Sequence, residues 1–156
     1  MKHPLLALTA AAACLLTALP AAAQFQKSQD AIQYRQSLMT LQNFHLGRLF
    51  AMAQGKVPYD AKRAADDAAI VAAINPSTLV GFGSGTDKGG SNRARPEIWT
   101  NAADFKAKAE QAATAVAALN QAAKVGTVDA LKEAVGPVGQ ACKACHDDYR
   151  AEKYSN

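Results

Sequence analysis

Three residues near the C-terminus have the types and the spacing of a cofactor site: Cys142, Cys145 and His146, in the run Cys-Lys-Ala-Cys-His. A Cys-x-x-Cys-His run is typical of covalent haem c attachment. On a helix the two cysteines lie one turn apart and face the same way, so their thiols can add to the two vinyl groups on one porphyrin edge. The histidine that follows can reach the iron as an axial ligand. We therefore expect one haem c per chain.

Two other kinds of site use a Cys-x-x-Cys pair. A zinc site needs further ligands, yet residues 24–156 contain no other cysteine and only one other histidine, His45. A thioredoxin-like redox site would have a β-strand before the motif, where the sequence instead has helical periodicity. The residues alone leave both alternatives open, but they favour haem.

The first 23 residues have the composition of a secretory signal peptide. Lys2 precedes an apolar stretch over residues 5–19, and Ala21-Ala22-Ala23 ends just before Gln24. Such a stretch is short for a membrane span. We expect cleavage before Gln24, a periplasmic chain over residues 24–156, and no membrane attachment after cleavage. An uncleaved anchor or a lipid on Cys14 are the alternatives.

Charge and glycine patterning argue against nucleic-acid and nucleotide partners. The net charge is +4, and removal of Lys2, the one charged side chain of residues 1–23, leaves 4 − 1 = +3. No long run of Lys or Arg is present. The glycines at positions 81, 83 and 85 lack the preceding strand and the Lys-Ser ending of a phosphate-binding loop.

Four segments with helical periodicity must position the motif, over residues 28–55, 60–75, 96–126 and 127–149. Ser28, Asp60 and Thr127 are candidate N-caps, and a long glycine-rich loop over residues 76–96 separates the second segment from the third. We predict an all-α fold, an antiparallel up-and-down four-helix bundle. The apolar face of the first segment is wide enough to contact both the core and a partner subunit.

The last segment has the clearest pattern and carries the motif. Apolar residues and both cysteines recur at spacings of three and four residues, which places the cysteines on the buried stripe: Val128, Leu131, Val135, Val138, Cys142, Cys145 and Tyr149. Gly136-Pro137 interrupts this segment, and we expect a kink or a break there.

The motif, its surroundings and two other runs together resemble the cytochromes c′. Asp147, Tyr149 and Arg150 follow the motif close to the C-terminus. Tyr34-Arg35-Gln36 lies in the first segment, and Arg95-Pro96-Glu97-Ile98-Trp99 precedes the third. The resemblance extends over essentially all of residues 24–156. It implies a periplasmic haem protein, a homodimer built on the first two helices, and nitric oxide and carbon monoxide as ligands.

The resemblance also assigns residues around the cofactor. It implies that Arg35 and Gln36 lie near the haem propionates, that Arg95 and Glu97 lie at the haem edge, and that Arg150 lies near the proximal ligand. The alternative for Arg35 and Arg150 is ordinary surface ion pairing.

The same resemblance places Met39 on the distal face of the haem. Because helix spacing can hold its sulfur away from the iron, we expect a five-coordinate, high-spin centre that binds nitric oxide and carbon monoxide but little dioxygen. The alternative is a six-coordinate, low-spin electron carrier with Met39 as the sixth ligand. His45, about 240° around the helix from Met39, is expected at the surface or at an interface. No distal acid-base group is evident, so we expect a binding protein and no peroxidase or other enzyme.

Overall fold

A computed structural model describes residues 25–155 of the chain. Residues 1–24 lie outside the described part, and with them the predicted signal peptide and its cleavage site. None of the helices within residues 25–155 is long and apolar enough to cross a membrane.

Five α-helices, a 3-10 helix and two short strands make up the described residues: α1 (Ser28–Ala53), α2 (Ala61–Ile74), the 3-10 helix (Asn75–Phe82), β1 (Asn92–Ala94), α3 (Glu97–Thr100), α4 (Ala102–Val125), α5 (Val128–Tyr149) and β2 (Arg150–Ser155). The four long helices pack in a ring, α1 on α2, α2 on α4, α4 on α5 and α5 on α1. The predicted four-helix bundle is therefore confirmed.

Capping hydrogen bonds and local backbone conformation determine where the long helices begin and end. The Asp60 carboxylate accepts from the Arg63 backbone N–H at 3.0 Å, and the Thr127 hydroxyl accepts from the N–H of Ala130 at 3.3 Å. Gly126 ends α4 in the left-handed region, with φ of 80°. The expected cap at Ser28 is wrong: Lys27 occupies the cap position, and no side chain caps α1.

The connection before α4 differs from the predicted loop. Pro76 at the start of the 3-10 helix supplies a fixed φ that suits a tight helical turn. The segment predicted as one helix from residue 96 splits at Asn101 (φ −123°, ψ 48°) into the four-residue α3 and α4. The antiparallel pair of β1 and β2, with a register irregularity between Asn92 and Ala94, was not anticipated.

Of the predicted kink or break at Gly136-Pro137, the break is wrong, because α5 is continuous from Val128 to Tyr149, and the kink stays a prediction. Gly136 and Pro137 are both exposed. The carbonyl of Glu133, which loses its intrahelical donor at Pro137, therefore lies where water can satisfy it.

Buried apolar side chains form two separate clusters. The large cluster lies between the four long helices: Leu46, Leu49, Met52, Ala53, Ala64, Ala68, Val71, Val116, Leu119, Ala123, Leu131, Val135 and Val138. The small cluster is formed by α3, α4 and the end of α5: Ile98, Phe105 and Tyr149. The two apolar clusters are separated from each other near the C-terminal end of α5.

Candidate cofactor site

Cys142, Cys145 and His146 lie half-buried near the C-terminal end of α5, as the sequence predicts. Both cysteines are free thiols. Cys142 packs against the large cluster and Cys145 against the small one. The motif therefore bridges the two apolar clusters, and both of its thiols are available for covalent attachment.

The electrostatics of the thiols do not match a redox pair. Burial raises the pKa of Cys142, and burial followed by the nearby Cys142 raises the pKa of Cys145. A redox-active Cys-x-x-Cys pair needs a lowered pKa at its attacking thiol. Among the described residues there is also no group of three His, Cys, Asp or Glu side chains that would hold a metal. The arrangement thus fits neither a redox pair nor a zinc site.

His146 is suited to act as a metal ligand. Burial lowers the pKa of His146 most, and the positive charges of Arg150 and Arg93 lower it further. The negative charge of Asp147 acts in the opposite direction. The imidazole is therefore neutral at neutral pH and keeps a lone pair for an iron. Arg150 acts on His146 through its charge, and its place on the proximal side of a haem stays a prediction.

Arg35 on α1 is buried, with 4% of its surface exposed, and its guanidinium is only partly satisfied. Its Nη1 donates to the carbonyls of Gly81 and Thr86, each at 2.9 Å, while Nη2 has no partner. Burial lowers the pKa of Arg35, with the charge of Asp87 opposing, but a guanidinium stays protonated in proteins. A buried cation with a free donor fits an anionic group such as a haem propionate.

Comparison with known proteins gives the family. Residues 30–150 match the family model for cytochrome C′. The chain belongs to the cytochrome c′ family. The cytochrome c′ of Rubrivivax gelatinosus is 51% identical over 127 residues, which are 81% of this chain and 98% of the relative. Its crystal structure superposes with a TM-score of 0.79, covering 81% of this chain and 99% of that one.

A nitric oxide complex of a variant cytochrome c prime from Alcaligenes xylosoxidans is also similar. It superposes with a TM-score of 0.77 at 41% identity and covers 83% of this chain and all of that one. Members of the cytochrome c′ family carry a covalently bound haem c, and the residues described above fit that group: two thiols one turn apart, a neutral imidazole and an unpaired buried guanidinium nitrogen.

Two further predicted residues lie on α1 beside Arg35. The Gln36 side chain donates through Nε2 to the carbonyl of Ser91 at 3.0 Å, and so ties α1 to the segment before β1. Met39, one turn after Arg35, is half-buried and belongs to neither apolar cluster. Met39 lies on α1, which packs against α5, and its place on the distal face of a haem stays a prediction.

Arg95 and Glu97 lie near the end of α5 in different ways. Arg95 donates through Nη1 to the carbonyls of Asp147 and Asp148, at 3.3 and 3.1 Å, and through its backbone N–H to the carbonyl of Tyr149 at 3.0 Å. It therefore caps the helix that carries the motif. The Glu97 side chain is exposed in the first turn of α3. The implied contacts of both residues with the haem edge stay predictions.

One arrangement near the motif is not evident from the sequence. The Tyr149 hydroxyl donates to Asp104 Oδ2 at 2.6 Å, and Lys108 Nζ lies 3.1 Å from Asp148 and 3.9 Å from Asp104. The hydrogen bond to Asp104, followed by burial, raises the pKa of Tyr149 to about 12. Only the helical spacing of Asp104 and Lys108 was visible in the sequence, because Tyr149 lies 45 residues further along the chain.

His45 also differs from its predicted position. Its side chain is only 12% exposed, and its Nδ1 lies 2.7 Å from Asp67 Oδ1. Arg48 donates to both oxygens of the same carboxylate, through Nε at 2.8 Å and through Nη2. His45 is therefore turned towards α2 by a buried carboxylate. A surface position for it is wrong, and a position at an interface stays a prediction.

Proposed function

We propose that this chain is a periplasmic haem c protein whose five-coordinate iron, ligated by His146, binds nitric oxide and carbon monoxide on its distal face. Cys142 and Cys145 hold the haem covalently, and Arg35 and Gln36 lie at its propionates. When bound, the haem supplies an iron with one open coordination position. The chain supplies the axial ligand, the apolar surroundings and the control of access to that position.

The observation that most strongly supports this proposal is that the motif lies between the two apolar clusters of the core. Cys142 contacts one apolar cluster and Cys145 the other, so a flat apolar group attached to both would lie between them. The solved relative from Alcaligenes xylosoxidans is a nitric oxide complex, which supports the choice of ligand.

The polar side chains beside Met39 support the preference for nitric oxide over dioxygen. Gln36 donates to Ser91, the Thr40 hydroxyl donates to the Gln36 carbonyl at 2.9 Å, and Arg35 uses Nη1 on two carbonyls. Of these three side chains, Arg35 has a further donor, Nη2, which we assign to a propionate. Bound dioxygen is stabilised by a distal hydrogen-bond donor, so we expect weak dioxygen binding.

A catalytic role is not part of the proposal. Heterolytic cleavage of a peroxide needs a positioned acid-base group on the distal side, and the residue that we propose for that side, Met39, is not one. We expect no steady peroxidase turnover.

A homodimer through α1 and α2 completes the proposal. Large apolar side chains on these helices are unusually exposed, namely Leu41 at 46%, Phe44 at 57% and Ile70 at 40%. Beside Phe44 lies an open groove of about 830 Å³ lined mostly by apolar side chains, including Val57 and Tyr59. Exposed large apolar side chains beside an apolar groove are typical of a protein interface, and an isologous contact would place the same patch on both subunits.

Export follows from the composition of residues 1–23 and suits the covalent haem, but it needs its own measurement. Mass spectrometry of the periplasmic fraction is expected to show a chain that begins at Gln24 and carries one haem. A chain that retains residues 1–23, or that is found in the cytoplasm, would contradict this part of the proposal.

Optical spectra of the purified protein, oxidised, reduced and with each gas, test the central claim. We expect high-spin spectra for both oxidation states and a clear change when nitric oxide or carbon monoxide is added to the reduced protein. A low-spin spectrum and no reaction with carbon monoxide would instead establish the alternative, an electron carrier ligated by His146 and Met39. If Met39 is an iron ligand, Met39→Ala would convert the low-spin spectrum to high spin. Under our proposal, Met39→Ala leaves the high-spin spectrum unchanged.

A further inference from the structure

The last turn of α5, which follows the haem-binding motif, is tied to α4 by a buried tyrosine. Tyr149 is 4% exposed, and its ring packs edge-on against Phe105 of α4 with the centroids 5.1 Å apart. Its hydroxyl donates to Asp104 at 2.6 Å. Tyr149 lies three residues after His146 and four after Cys145, so its side chain neighbours both of them on the surface of the helix.

Backbone contacts make this turn continuous with the axial ligand. The carbonyl of His146 accepts from the backbone N–H of Arg150, and the carbonyl of Tyr149 accepts from the N–H of Arg95. A rotation of the Tyr149 side chain would therefore be transmitted to His146 through a single helical turn. The ion pair of Lys108 with Asp148, at 3.1 Å, adds a second link between the same two helices.

We propose that Tyr149 and Asp104 form a positioning pair for the axial ligand: their hydrogen bond fixes the last turn of α5 and thereby the orientation of the His146 imidazole. Neither residue touches the iron. Asp104 acts on Tyr149, and Tyr149 acts on the helical turn that carries His146. Loss of the hydrogen bond allows the turn to adopt a range of orientations, and the imidazole follows it.

Resonance Raman spectroscopy of the reduced protein tests this inference through the iron–histidine stretching band. We expect Tyr149→Phe, which removes the donor, and Asp104→Ala, which removes the acceptor, each to broaden and shift the band. The double variant should behave like either single variant, because each removes the same hydrogen bond. Tyr149→Phe keeps the buried ring and should therefore fold and load haem. Amide hydrogen exchange at residues 146–149 is expected to become about tenfold faster, as befits the loss of a hydrogen bond to a charged group.

Matched controls make the effect specific. Glu110→Gln removes a charge from the same helix at an exposed pair with Lys106, and Tyr154→Phe removes a hydroxyl from an exposed tyrosine. Both should leave the band unchanged. If either test variant loads haem with an unchanged band, or if the double variant is additive, the positioning pair is disproved.

This inference rests on the proposed five-coordinate iron, but the two fail in different ways. If the wild-type protein gives no iron–histidine band because its iron is six-coordinate, the proposed function is wrong. In that case the exchange rates at residues 146–149 still decide whether Tyr149 and Asp104 hold the turn: unchanged rates in both variants contradict the pair, and faster rates support it.

Discussion

At the scale of single residues, a buried polar group with an unused hydrogen-bond donor distinguishes the cofactor site from an ordinary core. Buried polar groups in native proteins are nearly always hydrogen-bonded, so the free Nη2 of Arg35 requires an explanation. The two carbonyls that accept from its Nη1 fix the plane of the guanidinium and leave the second nitrogen pointing elsewhere. The sequence located Arg35 by resemblance alone, because the partners at Gly81 and Thr86 are 46 and 51 residues away.

Arg35→Gln should therefore lower the free energy of unfolding of the haem-loaded protein by about 2 kcal/mol, since two buried carbonyls lose their donor. Urea denaturation followed by far-UV circular dichroism measures this difference. Arg63→Gln, on the exposed side of α2, is the matched control and should change the free energy by less than about 0.5 kcal/mol. Equal effects of the two substitutions would refute the assigned role of Arg35.

Gly81 shows why that site is compact. A Cβ atom at Gly81 would lie 3.1 Å from both the carbonyl oxygen of Ala31 and the Cβ of Arg35. The absence of a side chain thus lets the 3-10 helix approach α1 closely enough for the Gly81 carbonyl to accept from Arg35. The sequence has glycines at positions 81, 83 and 85, but only the structure shows that Gly81 is the one needed for close packing.

At the scale of elements, the sequence predicted what is periodic and missed what is paired over long distances. The period of α5 fixed which face carries Cys142 and Cys145, and Asp60 and Thr127 marked the helix starts correctly. The pairing of β1 with β2 joins residues near position 93 to the C-terminus, and no local pattern encodes it. The continuity of α5 through Pro137 likewise depends on the exposure of this part of the helix to solvent, which cannot be read directly from the sequence.

Two glycines at helix positions should respond oppositely to alanine. Gly47 lies inside α1, where an added Cβ atom would have no contact within 4 Å apart from its chain neighbours and its own helix backbone, so Gly47→Ala should stabilise the protein by about 0.5–1 kcal/mol. Gly126 has φ of 80°, so Gly126→Ala should destabilise it by about 1 kcal/mol. Thermal denaturation of both variants checks the signs, and a stabilising Gly126→Ala would contradict the cap geometry.

The carboxylate of Asp67, 1% exposed, joins α1 to α2 and predicts a dependence of stability on pH. Burial alone would raise its pKa, but the hydrogen bonds and charges of Arg48 and His45 outweigh burial, so the pKa lies below its ordinary value. A lowered folded-state pKa contributes stability that is complete above the unfolded value, near about 3.9, and is lost as the pH falls through the folded value.

Asp67→Asn should therefore cost about 2 kcal/mol at neutral pH, because it removes the charge that Arg48 and His45 bind. The difference from wild type should shrink as the pH falls below about 4. Urea denaturation between neutral and strongly acidic pH measures it. Asp66→Asn is the control, since Asp66 is 59% exposed and pairs with an exposed Lys62, and should cost less than about 0.5 kcal/mol at any pH. A constant difference between Asp67→Asn and wild type would refute the charge-based role.

At the scale of the whole molecule, the bundle uses its helices for two purposes. One face of α1 brings Phe50 so close to α5 that a Cβ atom at Gly139 would lie 3.3 Å from the Phe50 ring, while another face exposes Leu41 and Phe44. The sequence predicted this division from the width of the apolar face of α1. What it could not predict is that Arg48, held by Asp67, lies over the Phe44 ring at 4.6 Å and fixes this exposed side chain.

Phe44→Glu should therefore convert a dimer into a monomer without altering the haem spectrum. The substitution places a charge at the centre of the exposed apolar patch, where a buried unpaired carboxylate costs several kcal/mol at each of two symmetry-related positions. Sedimentation velocity at micromolar concentration measures the mass. Val125→Glu, at an equally exposed site at the end of α4, should leave the dimer intact. Because Phe44 and the motif lie on different faces of the bundle, dissociation with an unchanged spectrum would separate assembly from ligand binding, whereas a monomeric wild-type protein would exclude the proposed interface.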